Sequence, residues 1–366
     1  MGSVKDIHIT SRKPTERGLG EGNFVFSDGF SVFDWGKMPN RIPNKGAALA
    51  TMAAWNFEQL GKIGVPSHYL GLVDFDGELV TTDQLEEPRN TMAVSLSRVV
   101  EPRFVDGKWD YSYFVDGRGR INNFVIPLEV IYRNGAPQGS SLFRTLDAME
   151  KKGDQQGIKA LLGKLGLTSK PKPGDLFPKT GYDFTTKFEP TDRKVDDEEA
   201  FRISGLTEEQ FLRLKRIRAD VVGFGKETAR RASMTDFDGK QEYRLFNGRV
   251  DLADVALTLD ENRFMIDVSG KPVQVSKEFL RQYYKATQKD WYADVERAKE
   301  EAQSKGIKDW KSLVRLSPKP LPEKLVSLVG EMYASACNRY TRRKFFKEAR
   351  DLDKVMQDLA PYMAAT

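Results

Sequence analysis

Apolar residues form short runs in some stretches of the chain and follow a helical spacing in others. The short runs predict strands over Asn23–Ser27 and Phe124–Tyr132, whereas Ala, Met and Trp recur on repeating faces of a predicted helix from Lys45 to about Leu60. After Ser276 the pattern is almost wholly helical, and a final helical region begins near Glu323. These elements together predict an α+β fold.

Two stretches interrupt this pattern and predict insertions. Aromatic residues among Asp-Gly and Arg-Gly turns indicate an inserted hairpin between Glu101 and Asn123, and residues 142–180, rich in lysine and glycine, indicate a second insertion. Thr207 and Gln210 have the spacing of a capping box, so we expect a long helix to begin at Thr207. We expect three regions: an N-terminal sheet lobe over 1–132, a C-terminal lobe over 133–285, and a helical region over 286–366.

The segment from Ser233 to Phe264 predicts a β-hairpin. Lys240–Phe246 and Arg249–Leu257 are rich in apolar and β-branched residues, and Asn247-Gly248 between them is a strong signal for a tight turn. The length of the loop decides which side chains share a face, because side chains alternate along each strand.

Two loop lengths compete in this hairpin. A two-residue loop would pair Glu242 with Ala253 and place Asp254 on the opposite face. A three-residue loop, Phe246-Asn247-Gly248, would pair Glu242 with Leu252 and make Asp254 a same-face diagonal neighbour about 7–8 Å away. We predict the three-residue loop.

Glu242 and Asp254 could then converge on one hard cation, with Lys240 beside them. Magnesium prefers one or two carboxylates together with phosphate oxygens and water, so this spacing predicts a magnesium site that a nucleotide triphosphate completes. The alternative is a solvated acidic hairpin.

Composition limits the class of protein. The 366 residues are 39% hydrophobic and 30% charged, which is ordinary globular usage, and the sequence contains neither a run of eighteen apolar residues nor a charged leader followed by an apolar stretch. We therefore expect no membrane partner. The single cysteine, Cys337, fits a reducing cytoplasm and a packing role. The net charge of +5 is spread among acidic residues, which speaks against a nucleic-acid partner.

A second segment, Val125–Ser140, carries an apolar strand with Glu129, then Arg133, then a Gly-Ser turn that suits a phosphate. It resembles the first signature of the SAICAR synthetase (phosphoribosylaminoimidazole-succinocarboxamide synthase) family. The hairpin resembles that family's second signature, D-x-K-x-E-F, and the D-E-V-x-T-P-D-x-x-R-F that follows it. Five further matches occur in order along the chain: Lys5-Asp6-Ile7, Ser27–Asp34, Ile42–Gly46, Thr186–Glu189 and Ser276–Arg281.

This resemblance implies a two-lobed fold, with an antiparallel-sheet N-terminal lobe similar to the small lobe of protein kinases and a larger mixed C-terminal lobe that carries a helical extension. ATP would lie between the lobes, and strand Phe124–Tyr132 would serve as the edge that contacts adenine. The family joins carboxyaminoimidazole ribonucleotide and L-aspartate, with ATP and Mg²⁺, to give SAICAR, ADP and phosphate. A homo-oligomer is a further expectation.

The resemblance also implies roles for particular residues. Glu242 and Asp254 would bind magnesium. Lys240 would approach the transferred phosphoryl group, and Lys5, Glu129 and Lys240 would contact the nucleotide. Asp236 and Asp260 would orient the amine or the imidazole. The substrate phosphate and carboxylates would be held by basic and turn residues, since arginine offers two parallel donors to such anions: Arg133, Gly139, Ser140, Arg263, Lys277 and Arg281.

The chain departs from the family pattern at four places. Ser3 replaces a lysine expected near the ATP phosphates, and Val255 replaces the glutamate of the D-E pair. Asp236 is two residues farther from Lys240 than the motif has it, and one extra residue separates Arg133 from Gly139-Ser140. A paralogue that ligates another amine or another carboxylate is therefore the main alternative. A small-molecule kinase would need an H-R-D-x-x-x-x-N loop, which the sequence lacks. A nucleotide-binding scaffold without activity is the third alternative.

Overall fold

A computed structural model of the chain describes residues 4–189, 192–268, 270–305, 307 and 309–363. The strands are β1 (Lys5–Ile9), β2 (Gly20–Phe26), β3 (Tyr69–Val73), β4 (Leu79–Val80), β5 (Thr91–Leu96), β6 (Arg103–Val105), β7 (Lys108–Asp110), β8 (Phe124–Gly135), β9 (Leu176–Thr186), β10 (Lys194–Val195), β11 (Thr235–Phe246), β12 (Arg249–Ala253), β13 (Asn262–Val268) and β14 (Lys271–Gln274). The helices are α1 (Lys45–Lys62), α2 (Ser112–Gly117), α3 (Ser141–Lys151), α4 (Gln155–Lys164), α5 (Asp197–Ile203), α6 (Glu208–Arg231), α7 (Lys277–Thr287), α8 (Lys289–Lys305), α9 (Glu323–Thr341), α10 (Leu352–Met363) and a short 3₁₀ helix at Trp310–Leu313.

The first sheet has five antiparallel strands in the order β1-β2-β5-β3-β4. Alternate residues of β2 are buried, including Phe24 and Phe26, and four consecutive residues of β5 are buried, including Met92 and Val94. Helix α1 packs against β2, β3 and β5. The predicted helix from Lys45 and the predicted strand near Asn23 are thus confirmed. The α+β fold class is confirmed as well.

The second sheet has seven strands in the order β10-β9-β8-β11-β13-β14, and β12 pairs with the far half of β11. Strand β8 pairs with β11 on one side and with β9 on the other. From Leu128 to Arg133 this strand has a partner on both sides and is not an edge. Pairing with β9 begins only at Leu128, so the expectation that main-chain groups of this strand contact adenine stays a prediction for its first residues, Phe124–Pro127. The expected boundary between residues 132 and 133 also lies inside β8.

The hairpin between β11 and β12 has a two-residue loop. Glu242 pairs with Ala253 and Phe246 pairs with Arg249, so the predicted three-residue loop is wrong. Asn247 and Gly248 both have positive φ, 48° and 75°. This is the backbone of the tight turn that matches strand twist, and Asn-Gly is the residue pair that adopts it with least strain.

Backbone contacts join the two sheets. Ser67 forms a parallel bridge with Leu252 of β12, and Arg98 forms one with Phe124 of β8. Consequently one hydrophobic core extends from the first sheet through α6 to the C-terminal helices. The capping box at Thr207 and Gln210 is present at the start of α6, as predicted.

Both predicted insertions form local structure. Strands β6 and β7 make the expected hairpin. Helices α3 and α4 fill most of residues 142–180 and enclose a small hydrophobic cluster of their own, which includes Leu146 and Leu162. Helix α9 begins at Glu323 as predicted, packs against α1 and buries Cys337. Among the described residues, no helix is both long enough and apolar enough to cross a membrane.

Candidate active site

A cleft of about 1030 Å³ opens along β8, β11 and β13, between the start of α3 and helices α7 and α8. Its walls carry most of the residues that the sequence singled out for substrate binding and catalysis: Arg133, Gly139, Ser140, Lys240, Asp260, Arg263, Lys277 and Arg281. Residues from distant parts of the chain meet here because β8 and β11 are adjacent in the second sheet.

A group of buried and half-buried charges lies at one end of this cleft. Lys240 Nζ donates to Glu129 Oε1 at 3.0 Å and to Glu242 Oε1 at 2.9 Å. It also lies 3.6 Å from Glu261 Oε2. Lys187 Nζ contacts the other oxygen of Glu242 and lies 3.9 Å from Glu129. We call these five residues the Lys240 cluster.

Burial and ion pairing act in opposite directions within the Lys240 cluster. Burial raises the pKa of Glu129 to about 7, although Lys240 opposes this shift. Burial acts in the same sense on Glu242, but Lys240 and Lys187 together hold its pKa well below the ordinary value. Burial opposes the charge of Lys240 too, yet the surrounding carboxylates raise the pKa of its ammonium group. The cluster therefore holds the ionised Lys240 beside two carboxylates of unequal basicity, Glu129 and Glu242.

A change in backbone direction at Asp254 lets its side chain contact the charged residues near the Lys240 cluster. Strand β12 ends at Ala253, and Asp254 has φ +59°, in the left-handed region. That conformation costs a non-glycine residue about 1–2 kcal/mol. It also ends the alternation of the strand, so the two-residue loop does not decide where this carboxylate points. The side chain contacts Lys5 of β1, and Lys5 in turn interacts electrostatically with Glu242.

Lys5 brings the first sheet into contact with the second at this point. Burial lowers the pKa of its ammonium group to about 8, while Glu242 and Glu261 oppose that shift. Glu129, Lys5 and Lys240, expected to contact the nucleotide, are therefore linked by ion pairs to the two expected metal ligands, beside the part of the cleft that Lys240 and Glu261 line. The departure from the family at Ser3 lies outside the described residues.

A bulge separates two aspartates of β11. Asp236 pairs with Phe264 of β13 and Asp238 pairs with Arg263, so Phe237 is an extra residue on β11. The bulge reverses the alternation, and Asp238 lines the cleft whereas Asp236 does not. The expectation that Asp236 orients a substrate is therefore not supported by its position.

Asp236 is instead part of a buried hydrogen-bond network. Its carboxylate accepts from Tyr132 Oη at 2.7 Å and from Asn262 Nδ2 at 3.0 Å. Burial raises the pKa of Asp236 to about 7, although these two donors oppose the shift. Both are neutral groups, which stabilise a carboxylate less than a cation would.

The other end of the cleft is basic. Ser140 is the N-cap of α3, and Gly139 before it has φ +77°. The first turn of this helix thus opens into the cleft, an arrangement that favours anions. Lys277 and Arg281 lie on the facing helix α7, where Arg281 contacts Glu278.

Asp260 lines the cleft but has two strong partners. Lys45 Nζ lies 2.7 Å from its Oδ2, and Tyr333 Oη donates to its Oδ1 at 2.8 Å. Burial works against ionisation, but Lys45 and Lys277 keep the pKa of Asp260 below its ordinary value. Lys45 and Tyr333 are both fully buried, so both of these partners of Asp260 are shielded from solvent.

Three residues of the site were not among those expected from the sequence. Asp238 lines the cleft and binds Arg263 through Oδ1 and Nε at 2.7 Å, and Glu261 and Lys187 belong to the Lys240 cluster. Lys187 and Glu261 lie within stretches that match the family, so the motifs contain the signal for them. Asp238 also has a signal, because Asp238, Lys240 and Glu242 have the D-x-K-x-E spacing, whereas the expectation had assigned the aspartate of this motif to Asp236.

The arrangement suits a cation only when a ligand completes its coordination. In residues 4–189, 192–268, 270–305, 307 and 309–363, no group of three or more His, Cys, Asp or Glu side chains has the geometry of a metal site. Glu242 and Asp254 are hard oxygen donors near Lys5 of the first sheet, and two carboxylates with phosphate oxygens would satisfy magnesium.

Comparisons with known proteins identify similar chains along most of the sequence. A family model described as SAICAR synthetase matches residues 1–298. A protein of Archaeoglobus fulgidus, provisionally named phosphoribosylaminoimidazole-succinocarboxamide synthase, is 38% identical over 360 residues, 98% of each chain. A protein of Thermoplasma acidophilum with the same enzyme name is 29% identical over 326 residues, 88% of this chain and 93% of its own.

Solved structures share the fold. A SAICAR synthase from Saccharomyces cerevisiae, complexed with SAICAR, aligns with a TM-score of 0.59 and 21% identity over 94% of this chain and 95% of its own. A type-2 SAICAR synthetase in complex with ADP aligns with a TM-score of 0.52 and 18% identity over 77% of this chain and 88% of its own. At these identities the likeness concerns the fold.

Proposed function

This chain belongs to the SAICAR synthetase family and is an ATP-dependent ligase of purine biosynthesis, and we propose that it joins carboxyaminoimidazole ribonucleotide to L-aspartate. One observation carries this proposal: the Lys240 cluster, with Lys5 and Asp254 beside it, opens into a cleft whose other end is basic. A triphosphate fits the first end and a phosphorylated substrate fits the second.

We propose that the triphosphate binds where Lys5, Lys187 and Lys240 converge. Each ammonium group now neutralises a carboxylate and can turn to a phosphate oxygen instead. Glu242 and Asp254 would then hold magnesium, which supplies positive charge to the phosphate oxygens when bound.

The purine ring would lie farther along β1. Ile7 and Ile9 alternate with Lys5, so their side chains share its face, and they are 53% and 47% exposed. Exposed isoleucines next to a polyanion site offer the flat apolar surface that a purine base requires. This placement is an alternative to the one expected at Phe124–Tyr132.

The ribonucleotide would occupy the basic end of the cleft. Its phosphate fits the first turn of α3 at Gly139 and Ser140, with Lys277 and Arg281 opposite. Arg133 and Arg263 lie between this end and the Lys240 cluster, where the substrate carboxylates would be. Asp260 is the remaining candidate to orient the amine, because it lines the cleft and Asp236 does not.

The chemistry explains why a nucleotide must lie beside the substrate. A carboxylate is a poor electrophile because it is anionic and has no adequate leaving group. Transfer of the terminal phosphoryl group to a carboxylate oxygen gives an acyl phosphate and ADP. The amine nitrogen then attacks the acyl carbon, phosphate leaves, and a proton is lost from nitrogen. Lys240 and its neighbours would stabilise the charge that spreads over the transferred phosphoryl group and align the reactants.

The test is the release of ADP from ATP and Mg²⁺ in the presence of carboxyaminoimidazole ribonucleotide. We expect release to require both the ribonucleotide and L-aspartate, with other amino acids and the reaction without amine as controls. Turnover with a different amine or acceptor, and none with L-aspartate, would favour the paralogous ligase. No turnover with any pair, together with ATP binding, would favour a nucleotide-binding protein without activity.

A further inference from the structure

His68 is held between the two sheets by its backbone. Its N–H donates to Leu252 O of β12 at 3.1 Å, and its carbonyl accepts from Ser95 of β5, through N at 2.9 Å and through Oγ at 3.1 Å. Residues on both sheets thus fix the position of this residue.

The side chain of His68 reaches the backbone of Asp254. Its Nε2 lies 2.9 Å from Asp254 O, and because a carbonyl can only accept, Nε2 carries the proton and donates. The ring is 3% exposed and packs edge-on against Phe24 and Phe57, with centroids 5.4 and 5.5 Å away. These contacts leave the imidazole little freedom to turn away.

This hydrogen bond acts on the residue whose backbone departs from the strand. Asp254 has positive φ, and without that conformation the register of the hairpin would place its carboxylate on the face opposite Glu242. A donor fixed at its carbonyl opposes a return to the extended conformation. The direction of the Asp254 carboxylate therefore depends on a residue that contacts neither the cleft nor the Lys240 cluster.

We propose that His68 is a positioning residue for the metal carboxylate: through the main chain of Asp254 it holds that carboxylate on the side of Glu242. The inference rests on the proposed role of Asp254 in binding magnesium. A purely structural role for His68, as a filler between Phe24 and Phe57, is the competing explanation, and it predicts no effect on metal affinity beyond loss of stability.

Two substitutions separate these explanations. His68→Gln keeps an N–H donor at about the distance of Nε2, whereas His68→Met has nearly the same length and volume but no donor. Both lose the ring and have similar volumes, and the melting temperature measures the difference in packing that remains between them. His8→Met is the matched surface control, because His8 lies exposed on β1.

The measurement is Mn²⁺ binding in the presence of ADP, followed by electron paramagnetic resonance, alongside the Mg²⁺ dependence of turnover and the melting temperature. Loss of an outer hydrogen bond to a metal ligand weakens metal binding about 10–100-fold. We expect His68→Met to raise the Mn²⁺ dissociation constant at least about tenfold and His68→Gln to remain within about threefold of the unsubstituted protein. Equal Mn²⁺ affinity in both variants would overturn the proposal.

The outcome remains informative in two further cases. If His68→Met does not fold, His68→Asn replaces it, because the shorter amide cannot reach the Asp254 carbonyl, and the same difference from His68→Gln is expected. If the unsubstituted protein binds Mn²⁺ with ADP but ligates no aspartate, the substrate proposal fails, while a difference between the two variants still supports the role of His68.

Discussion

Strand β11 carries two buried charges two residues apart, and they belong to different kinds of site. Glu242 is 4% exposed and Arg244 is 2% exposed. Arg244 donates to Asp251 Oδ2 through Nε at 3.2 Å and Nη2 at 3.0 Å, and to Ser95 O through Nη1 at 2.7 Å. Glu242 instead shares Lys240 with Glu129 and Glu261, and it shares Lys187 with Glu129.

The two charges differ in whether their hydrogen-bond partners are all supplied by the protein and in whether they face the cleft. The Arg244–Asp251 pair is closed, because each partner is satisfied within the hairpin or by β5 and neither lines the cleft. The Lys240 cluster has three carboxylates for two lysines and opens into the cleft through Lys240 and Glu261. Burial of charge alone does not identify a catalytic site; a buried group that can exchange its partners for those of a ligand does.

Asp254→Asn tests the open site and should have the largest effect. The amide keeps the shape but loses the charge that binds a cation, so we expect turnover to fall about 10³–10⁴-fold, equal to about 4–5.5 kcal/mol of transition-state stabilisation. The melting temperature should stay near that of the unsubstituted protein. Asp76→Asn, in an exposed loop, is the control. Normal activity of the Asp254 variant would remove this residue from the metal site.

Arg244→Met tests the closed pair. It leaves Asp251 charged and buried with one partner, so we expect the free energy of unfolding to fall by about 3–5 kcal/mol in urea denaturation. Turnover per folded molecule should change less than about threefold. The control is Arg249→Met, since Arg249 contacts the same Asp251 from a 63% exposed position and should contribute less than about 1 kcal/mol. Equal losses in the two variants would contradict the distinction between them.

Asp236→Asn tests a buried carboxylate that has no cation. The pKa of Asp236 is about 7 in the folded protein and near 4 when unfolded, so the folded state binds the proton more tightly. Stability must then decrease as the pH rises through this interval and level off above pH 7. Between pH 5 and pH 8 the unsubstituted protein should lose about 1–3 kcal/mol more than the variant does. Parallel stability curves would contradict the raised pKa.

Tyr333→Phe has the smallest expected effect. It tests Asp260, which lines the cleft although Lys45 and Tyr333 already supply its hydrogen-bond partners. It removes one hydrogen bond to Asp260, which Lys45 still holds, so we expect a loss of about 1–2 kcal/mol in unfolding free energy and less than about a threefold change in turnover. Tyr284→Phe, whose hydroxyl donates to a neutral carbonyl, should cost less. A loss of turnover beyond about tenfold would place Asp260 with the Lys240 cluster in function.

Helix starts, insertions and the composition of the cleft were predictable because they depend on local residues. The Thr207 cap, the helix from Lys45 and the inserted hairpin each have their signal within a few residues. The wrong prediction, the three-residue loop, came from requiring Glu242 and Asp254 to share a face by strand alternation. The Asn-Gly pair itself indicated the shorter loop.

The family motifs also brought together residues that the fold separates. Asp236 and Asp238 differ in direction because of one extra residue, and the bulge forms only when β11 meets β13. Tyr333 lies beyond residue 298, where the family model ends, yet it binds a residue of the cleft. The D-x-K-x-E spacing of Asp238 with Lys240 and Glu242 is present in the sequence, but the bulge and the contact of Tyr333 with Asp260 depend on segments that are distant in the chain.

The sequence by itself determined the family, the chemistry of the reaction and the residue types that serve it, because these depend on which side chains occur and in what order. Only the tertiary structure decided which of them meet. Strand β8 became a central strand, Asp254 turned back toward Glu242, and Lys187 and Glu261 joined Lys240, since each of these depends on contacts between segments that are distant in the chain.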